Sequence, residues 1–200
     1  MEMEDYLKSE LCKASSSMFA KNFMGIFHGS ISVKVEDDKF IINSKDAVFD
    51  SLNNNDFITL YTKKDYRWKS ASMDANIHLN IYKNISEAKY ISYTMPPFIT
   101  SLSLKKDIIK PKDYFGSTII GELEVYDPKN FDTWYKRADE EIYMTLLSTQ
   151  KDMLLIKGYG LISYNRDLME LIKKVAILEN SAKLIYYSKN IEKDRKFSLS

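Results

Sequence analysis

Lys89-Tyr90-Ile91-Ser92-Tyr93-Thr94-Met95-Pro96-Pro97 is the stretch on which the fold turns. Residues 89–94 are rich in aromatic and β-branched side chains and read as a strand. Pro96-Pro97 ends it, because proline has no N–H to give to a ladder. Just upstream, residues 73–84 read as a helix with Met73, Ile77 and Ile81 on its apolar face, Ser72 as N-cap and Asp74 in the first turn. Just downstream, residues 98–105 read as a short helix. A strand held between helices points to an α/β protein.

The rest of the chain extends the same alternation. Residues 3–21 read as a helix, with Leu7, Leu11, Met18 and Phe19 near helical spacing. Ile31-Ser32-Val33-Lys34-Val35 alternates apolar and polar, as a half-buried strand does. Glu36-Asp37-Asp38 turns it into a second strand, Lys39-Phe40-Ile41-Ile42. After the turn cluster Asn53–Asp56, residues 57–61 form a third strand. Ser117–Ile120 reads as a short strand and 132–148 as a helix. Met153–Ile156 and Gly160–Tyr164 read as strands around a glycine turn. Residues 167–186 read as a long helix carrying Leu168, Ile172, Val175 and Leu178 on one side. Short turns between neighbouring strands make much of the sheet antiparallel. No linker or repeat interrupts the chain, so one domain is expected over 1–188, with a charged tail over 189–200.

Bulk properties remove several functions. The 200 residues carry 29 basic and 28 acidic side chains, so no strong field draws the chain to nucleic acid or anionic lipid. The run Lys189, Lys193, Arg195 and Lys196 is interrupted by Glu192 and Asp194 and reads as solvated. The 14 tyrosines and 10 phenylalanines come without a basic stripe, so they fit a core or an interface better than a base-stacking platform. Cys12 is the single cysteine; it reads as a packed residue of the first helix, in a protein indifferent to redox or kept reduced. The acidic start Met1–Asp5 is unlike a secretory leader, and no apolar run approaches the about 18 residues of a membrane span. A cytoplasmic protein without membrane or nucleic-acid partners is expected. GxGxxG, P-loop, CxxC and HExxH motifs are absent.

Four stretches, in order, resemble the class II aldolase/adducin N-terminal family. They are His28-Gly29-Ser30-Ile31-Ser32-Val33-Lys34 followed by Phe40–Ser44; Ala71-Ser72-Met73-Asp74 leading to His78 and Ile81-Tyr82; Tyr93-Thr94-Met95-Pro96-Pro97; and Leu154–Leu161. The likeness runs from about residue 6 to 188. It implies a three-layer α/β/α domain with a mixed, mostly antiparallel central sheet. It also implies a cyclic homotetramer with sites at subunit interfaces.

The resembling aldolases cleave sugar phosphates with a zinc ion held by three histidines, which acts as a Lewis acid on the carbonyl. Carried onto this chain, those positions are Tyr93, Met95 and Tyr159. A phenol of pKa about 10 stays protonated at neutral pH, and a thioether suits Cu(I) better than Zn²⁺. Neither metal nor other cofactor is therefore expected. A site rebuilt from Asp74, His78 and His28 competes with a hydrogen-bonded core role for His78, and the core role is the better fit. The family's general base falls on Asp74, which reads either as a surviving base or as a helix-start acid facing the dipole, the second being favoured. Tyr93 and Tyr159 are the other candidate catalytic groups. Gly29, Ser30, Asn43, Lys45 and Ser72 form a candidate cradle for a phosphate, or are ordinary turn residues.

Three functions follow. The leading one is a divergent relative without zinc-dependent aldolase activity, a pseudoenzyme acting as a binding or structural homo-oligomer, as adducin heads do. The others are a metal-independent lyase or isomerase on a small sugar phosphate, with tyrosine as proton donor, and a sugar-phosphate sensor. Whether the chain is an enzyme stays open at this point.

Overall fold

The computed structural model describes residues 3–197, and their side chains except at 190 and 192–197. The elements in order are α1 (Met3–Ala20), β1 (Ser30–Glu36), β2 (Lys39–Asn43), β3 (Phe57–Tyr61), α2 (Ala75–Asn84), β4 (Tyr90–Thr94) and α3 (Pro97–Ser103). There follow β5 (Ile108–Ile109), β6 (Leu123–Tyr126), α4 (Phe131–Trp134), α5 (Ala138–Thr149), β7 (Met153–Ile156), β8 (Gly160–Asn165) and α6 (Leu168–Phe197).

The eight strands form one sheet in the order β3-β2-β1-β4-β8-β7-β6-β5. Every neighbouring pair is antiparallel except β6 and β7. β4 lies between β1 and β8, with Tyr93 opposite Ser30 on one side and Ile162 on the other.

Strand alternation sorts the core into two. On one face Ile31, Val33, Ile41, Leu155 and Leu161 pack with Leu11 of α1, Ile99 of α3 and Leu171, Val175 and Leu178 of α6. On the other, Phe40, Ile42, Ile91, Tyr93, Ile156 and Ile162 pack with Ile77 and Ile81 of α2 and Ile142 and Leu146 of α5. This is the three-layer α/β/α arrangement. Cys12 is half-buried on α1 against the first of these cores.

Several boundaries differ from expectation. α2 starts at Ala75, so Asp74 sits at its N-cap and not in its first turn, and it makes no side-chain cap bond. Ser72 does not cap the helix; its hydroxyl accepts the Asp74 N–H at 3.3 Å. Gly116–Ile120 is a π-helical turn, where a strand over Ser117–Ile120 is expected. Asp113 nucleates it, its carboxylate accepting the Gly116 N–H at 2.8 Å and its carbonyl the Ser117 N–H at 2.9 Å. The expected helix 132–148 is broken. Asn130 caps the short α4 through the Thr133 N–H, and the chain turns at Tyr135–Arg137 before α5. The edge strand β5 and its neighbour β6 lie where the sequence reading places no element. α6 continues past 186 to Phe197. The expected solvated charge of Lys193, Arg195 and Lys196 lies outside the described side chains. Among the described residues no helix is long and apolar enough to cross a membrane.

Candidate functional site

The end of β4, the β7–β8 turn, the β2 end and the start of α2 enclose a cavity of about 270 Å³. Its lining includes His28, Gly29, Asn43, Lys45, Ser72, Asp74, Tyr93, Tyr135 and Tyr159. Larger clefts, of about 470, 580 and 740 Å³, open elsewhere. In the first of them, ion pairs tie Lys174 to Asp152 and Arg166 to Glu87.

Asp74 is the hub of the cavity. Its carboxylate accepts hydrogen bonds from Ser30 Oγ at 2.8 Å, the Tyr135 hydroxyl at 3.2 Å and the Tyr159 hydroxyl at 3.4 Å. Only 6 % of the residue is exposed. Burial raises its pKa above the usual carboxylate range, and the three O–H donors pull it partly back. Tyr93 and Tyr159 stack with ring centres 4.6 Å apart, and the Tyr93 hydroxyl donates to the Tyr159 carbonyl at 2.8 Å. Burial, reinforced by the nearby Asp74 charge, holds the phenols of Tyr93, Tyr135 and Tyr159 well above their ordinary range. All three stay protonated. The stack depends on Gly160, which has φ +137°; a Cβ there would lie 2.4 Å from the Thr94 carbonyl oxygen and 2.9 Å from the Tyr93 ring.

Ser30 departs from its expected place. It is fully buried behind Asp74 and does not line the cavity. Its other neighbour is His78 Nε2, at 2.9 Å, while His78 Nδ1 lies 2.6 Å from Ser32 Oγ. His78 is completely enclosed, and burial takes its pKa down to about 3, so the ring is neutral. It occupies the hydrogen-bonded core role expected of it. Gly29, Asn43, Lys45 and Ser72 do line the cavity. The Asn43 amide is already engaged: its oxygen accepts the Ile31 N–H of β1 at 2.9 Å and its nitrogen donates to the Ser44 carbonyl at 3.1 Å. Lys45 is exposed at the rim, and among the described residues no carboxylate pairs with it.

The donor set does not fit a zinc ion. Tyr93 and Tyr159 are protonated phenols, the first donating to the Tyr159 carbonyl and the second to Asp74. Met95 is 41 % exposed and not among the cavity lining. Among the described residues no group of three or more His, Cys, Asp or Glu side chains is placed to hold a metal, so Asp74, His78 and His28 do not form one.

Tyr135 is the residue that sequence reading missed. It would have been one position inside a continuous helix; the break after Trp134 turns its hydroxyl to Asp74. The buried Trp134, edge-on to Tyr159 at 5.0 Å, anchors that turn. The only signal available was Asn130, a cap residue placed to start a separate short helix.

The layered fold and this site place the chain among class II aldolase-like domains. The family model of the Class II Aldolase and Adducin N-terminal domain matches residues 9–186, and the chain belongs to that family. It is 21 % identical over 180 residues to L-fuculose phosphate aldolase of Methanocaldococcus jannaschii, covering 88 % of this chain and 94 % of that one. The protein of the same name from Methanococcus maripaludis is 20 % identical over 187 residues, covering 92 % and 97 %. Among solved structures, L-fuculose-1-phosphate aldolase from Thermus thermophilus superposes with a TM-score of 0.83 at 19 % identity, over 93 % of this chain and 95 % of that one. An aldolase II superfamily protein from Pseudomonas syringae gives a TM-score of 0.79 at 15 % identity, over 96 % and 78 %. At these identities the structural likeness is one of fold.

Proposed function

We propose that this protein binds a small phosphorylated ligand, of sugar-phosphate type, without zinc-dependent aldol cleavage. The observation that carries the reading is the stacked pair of Tyr93 and Tyr159, standing at two of the three positions that the resemblance assigns to imidazole ligands, with Met95 at the third. The relatives named as fuculose phosphate aldolases supply the ligand class. An exposed Lys45 beside Ser72 and Gly29 supplies a place for its anionic end. In this reading the protein is a cytoplasmic homo-oligomer, a tetramer by resemblance, and sedimentation measures that state directly.

A second reading keeps catalysis. Asp74, with its raised pKa and two phenols on it, is an acid–base group facing a ligand cavity, which is what a metal-independent lyase or isomerase needs.

The deciding experiment pairs metal analysis with calorimetry. After incubation with Zn²⁺, Mn²⁺ or Fe²⁺ and removal of excess, less than stoichiometric metal is expected. L-fuculose 1-phosphate and inorganic phosphate are then titrated into the protein and into Lys45→Ala. Loss of one charge-assisted contact is worth ~1.5–3 kcal/mol, roughly 10- to 100-fold in Kd. One metal per chain, or binding untouched in the variant, sinks the reading. Turnover of the sugar phosphate by metal-free protein selects the second one.

A further inference from the structure

Behind Asp74 the hydrogen bonds form an unbranched chain. It runs from Asp74 Oδ2 through Ser30 Oγ, the His78 ring, Ser32 Oγ and the Tyr82 hydroxyl to the Lys89 carbonyl. Its successive gaps are 2.8, 2.9, 2.6, 2.6 and 3.4 Å. Ser30, Ser32 and His78 are fully buried and Tyr82 nearly so, which keeps water out of the interior gaps.

Counting hydrogens fixes the sense of the chain. Its four interior members, Ser30, neutral His78, Ser32 and Tyr82, each contribute one. Five gaps therefore share four hydrogens while Asp74 is ionised, and one gap stays without. Two facing lone pairs repel, so the empty gap is the widest, between Tyr82 and Lys89. Every member then donates toward Asp74, and His78 carries its hydrogen on Nε2. With a hydrogen on Asp74 pointing at Ser30, all five gaps are filled. Every member then donates toward Lys89, and His78 carries its hydrogen on Nδ1.

The two forms differ by one proton. Passing from the first to the second, each hydrogen moves one atom nearer Asp74: Ser30 to Asp74, Nε2 to Ser30, Ser32 to Nδ1, Tyr82 to Ser32. Tyr82 is made whole by one proton from solvent, and no other bond changes. Tyr82 also borders a small cleft whose charged lining is Lys34, Glu36, Asp37, Lys39 and Lys83, and which shares no lining residue with the ligand cavity.

We propose that Ser30, His78, Ser32 and Tyr82 form a proton relay from that cleft to Asp74, in which the tautomer of His78 follows the protonation of Asp74. The relay would give the cavity an acid–base group whatever ligand it holds, so it stands independently of the phosphate reading. Asp74 is faced by Ser30 from β1, Tyr135 from the α4–α5 turn, Tyr159 from the β7–β8 turn and, through space, Tyr93 from β4. His78 is faced by Ser30 and Ser32, and Tyr82 by Ser32 with Tyr90 nearby.

The test is ¹⁵N NMR of the histidine rings across pH, with His28→Gln to leave His78 alone in the spectrum. His78 is expected to stay neutral while its protonated nitrogen changes from Nδ1 at low pH to Nε2 at high pH. The midpoint coincides with the titration of the Asp74 carboxyl, read by ¹³C. Asp74→Asn, whose amide is a permanent donor toward Ser30, holds the Nδ1–H form throughout. Ser30→Ala cuts the relay, and the His78 response disappears. A tautomer unchanged through the Asp74 titration in the unmodified protein overturns the proposal, and this needs no variant of the relay to fold. A response that survives Ser30→Ala overturns it too.

Discussion

Asp74→Asn isolates the cost of keeping a carboxylate inside this protein. Asparagine keeps one oxygen where Tyr135 and Tyr159 donate and puts an amide where Ser30 stands, so the local geometry is retained. What changes is the charge. The folded-state pKa of Asp74 is raised, chiefly by burial, above the unfolded value of about 3.9. The folded form therefore holds a proton that the unfolded form has released, and stability falls as pH rises from the unfolded pKa through the folded one. Each tenfold difference in proton affinity between the two states is worth about 1.4 kcal/mol. Below pH ~4 both proteins are neutral at this position, and their unfolding free energies are expected to agree within ~0.5 kcal/mol. As pH rises toward 8 the variant is expected to become the more stable of the two, with the gap levelling once the folded pKa is passed. Urea denaturation of both proteins in a pH series measures it. A difference that stays constant across the series, or a variant that loses ground as pH rises, refutes the argument.

Two further outcomes probe the frame of the site. Gly160→Ala places its Cβ 2.4 Å from a backbone carbonyl at φ +137° and is expected to cost at least ~3 kcal/mol, read as a fall in Tm. Gly121→Ala, at φ +69° and ψ −156° with nothing within 4 Å of the added Cβ, isolates backbone strain without a clash and is expected to cost less, ~1–3 kcal/mol. Glu179, fully buried on α6, accepts the Phe98 and Ile99 N–H groups of α3 at 3.1 and 2.9 Å. Glu179→Gln leaves one of these donors unpaired, a loss of ~1–3 kcal/mol by chemical denaturation.

Much of this could be read from residue order. The period-two run at Ile31–Val35 and the acidic turn after it give the β1–β2 hairpin, and the prolines at 96 and 97 mark where β4 stops and α3 starts. Asp74, Tyr93 and Tyr159 stand out as separate positions along the chain, and the fold brings them into contact. What could not be read has physical causes. β5 is two residues long and β6 four, too short for a period to show. The π-helical turn is set by the Asp113 carboxylate, a local hydrogen bond that overrides the β preference of Thr118, Ile119 and Ile120. Ser30 looks like any loop hydroxyl until β1 faces α2 across the sheet. Tyr135 needs a helix break fixed by the packing of Trp134.

The strand order has a consequence for how the molecule comes to exist. β4 finds its partners in β1, far upstream, and β8, far downstream. Tyr159 arrives with β8, while Asp74 and Tyr135 come from two further places along the chain. Contacts of such wide sequence separation must overcome loop-closure entropy before they return any stabilisation. The helices and the β1–β2 hairpin can form early from neighbours alone. The cavity cannot, because its walls come from both flanks: it is complete only once β1 and β8 have both closed on the central strand.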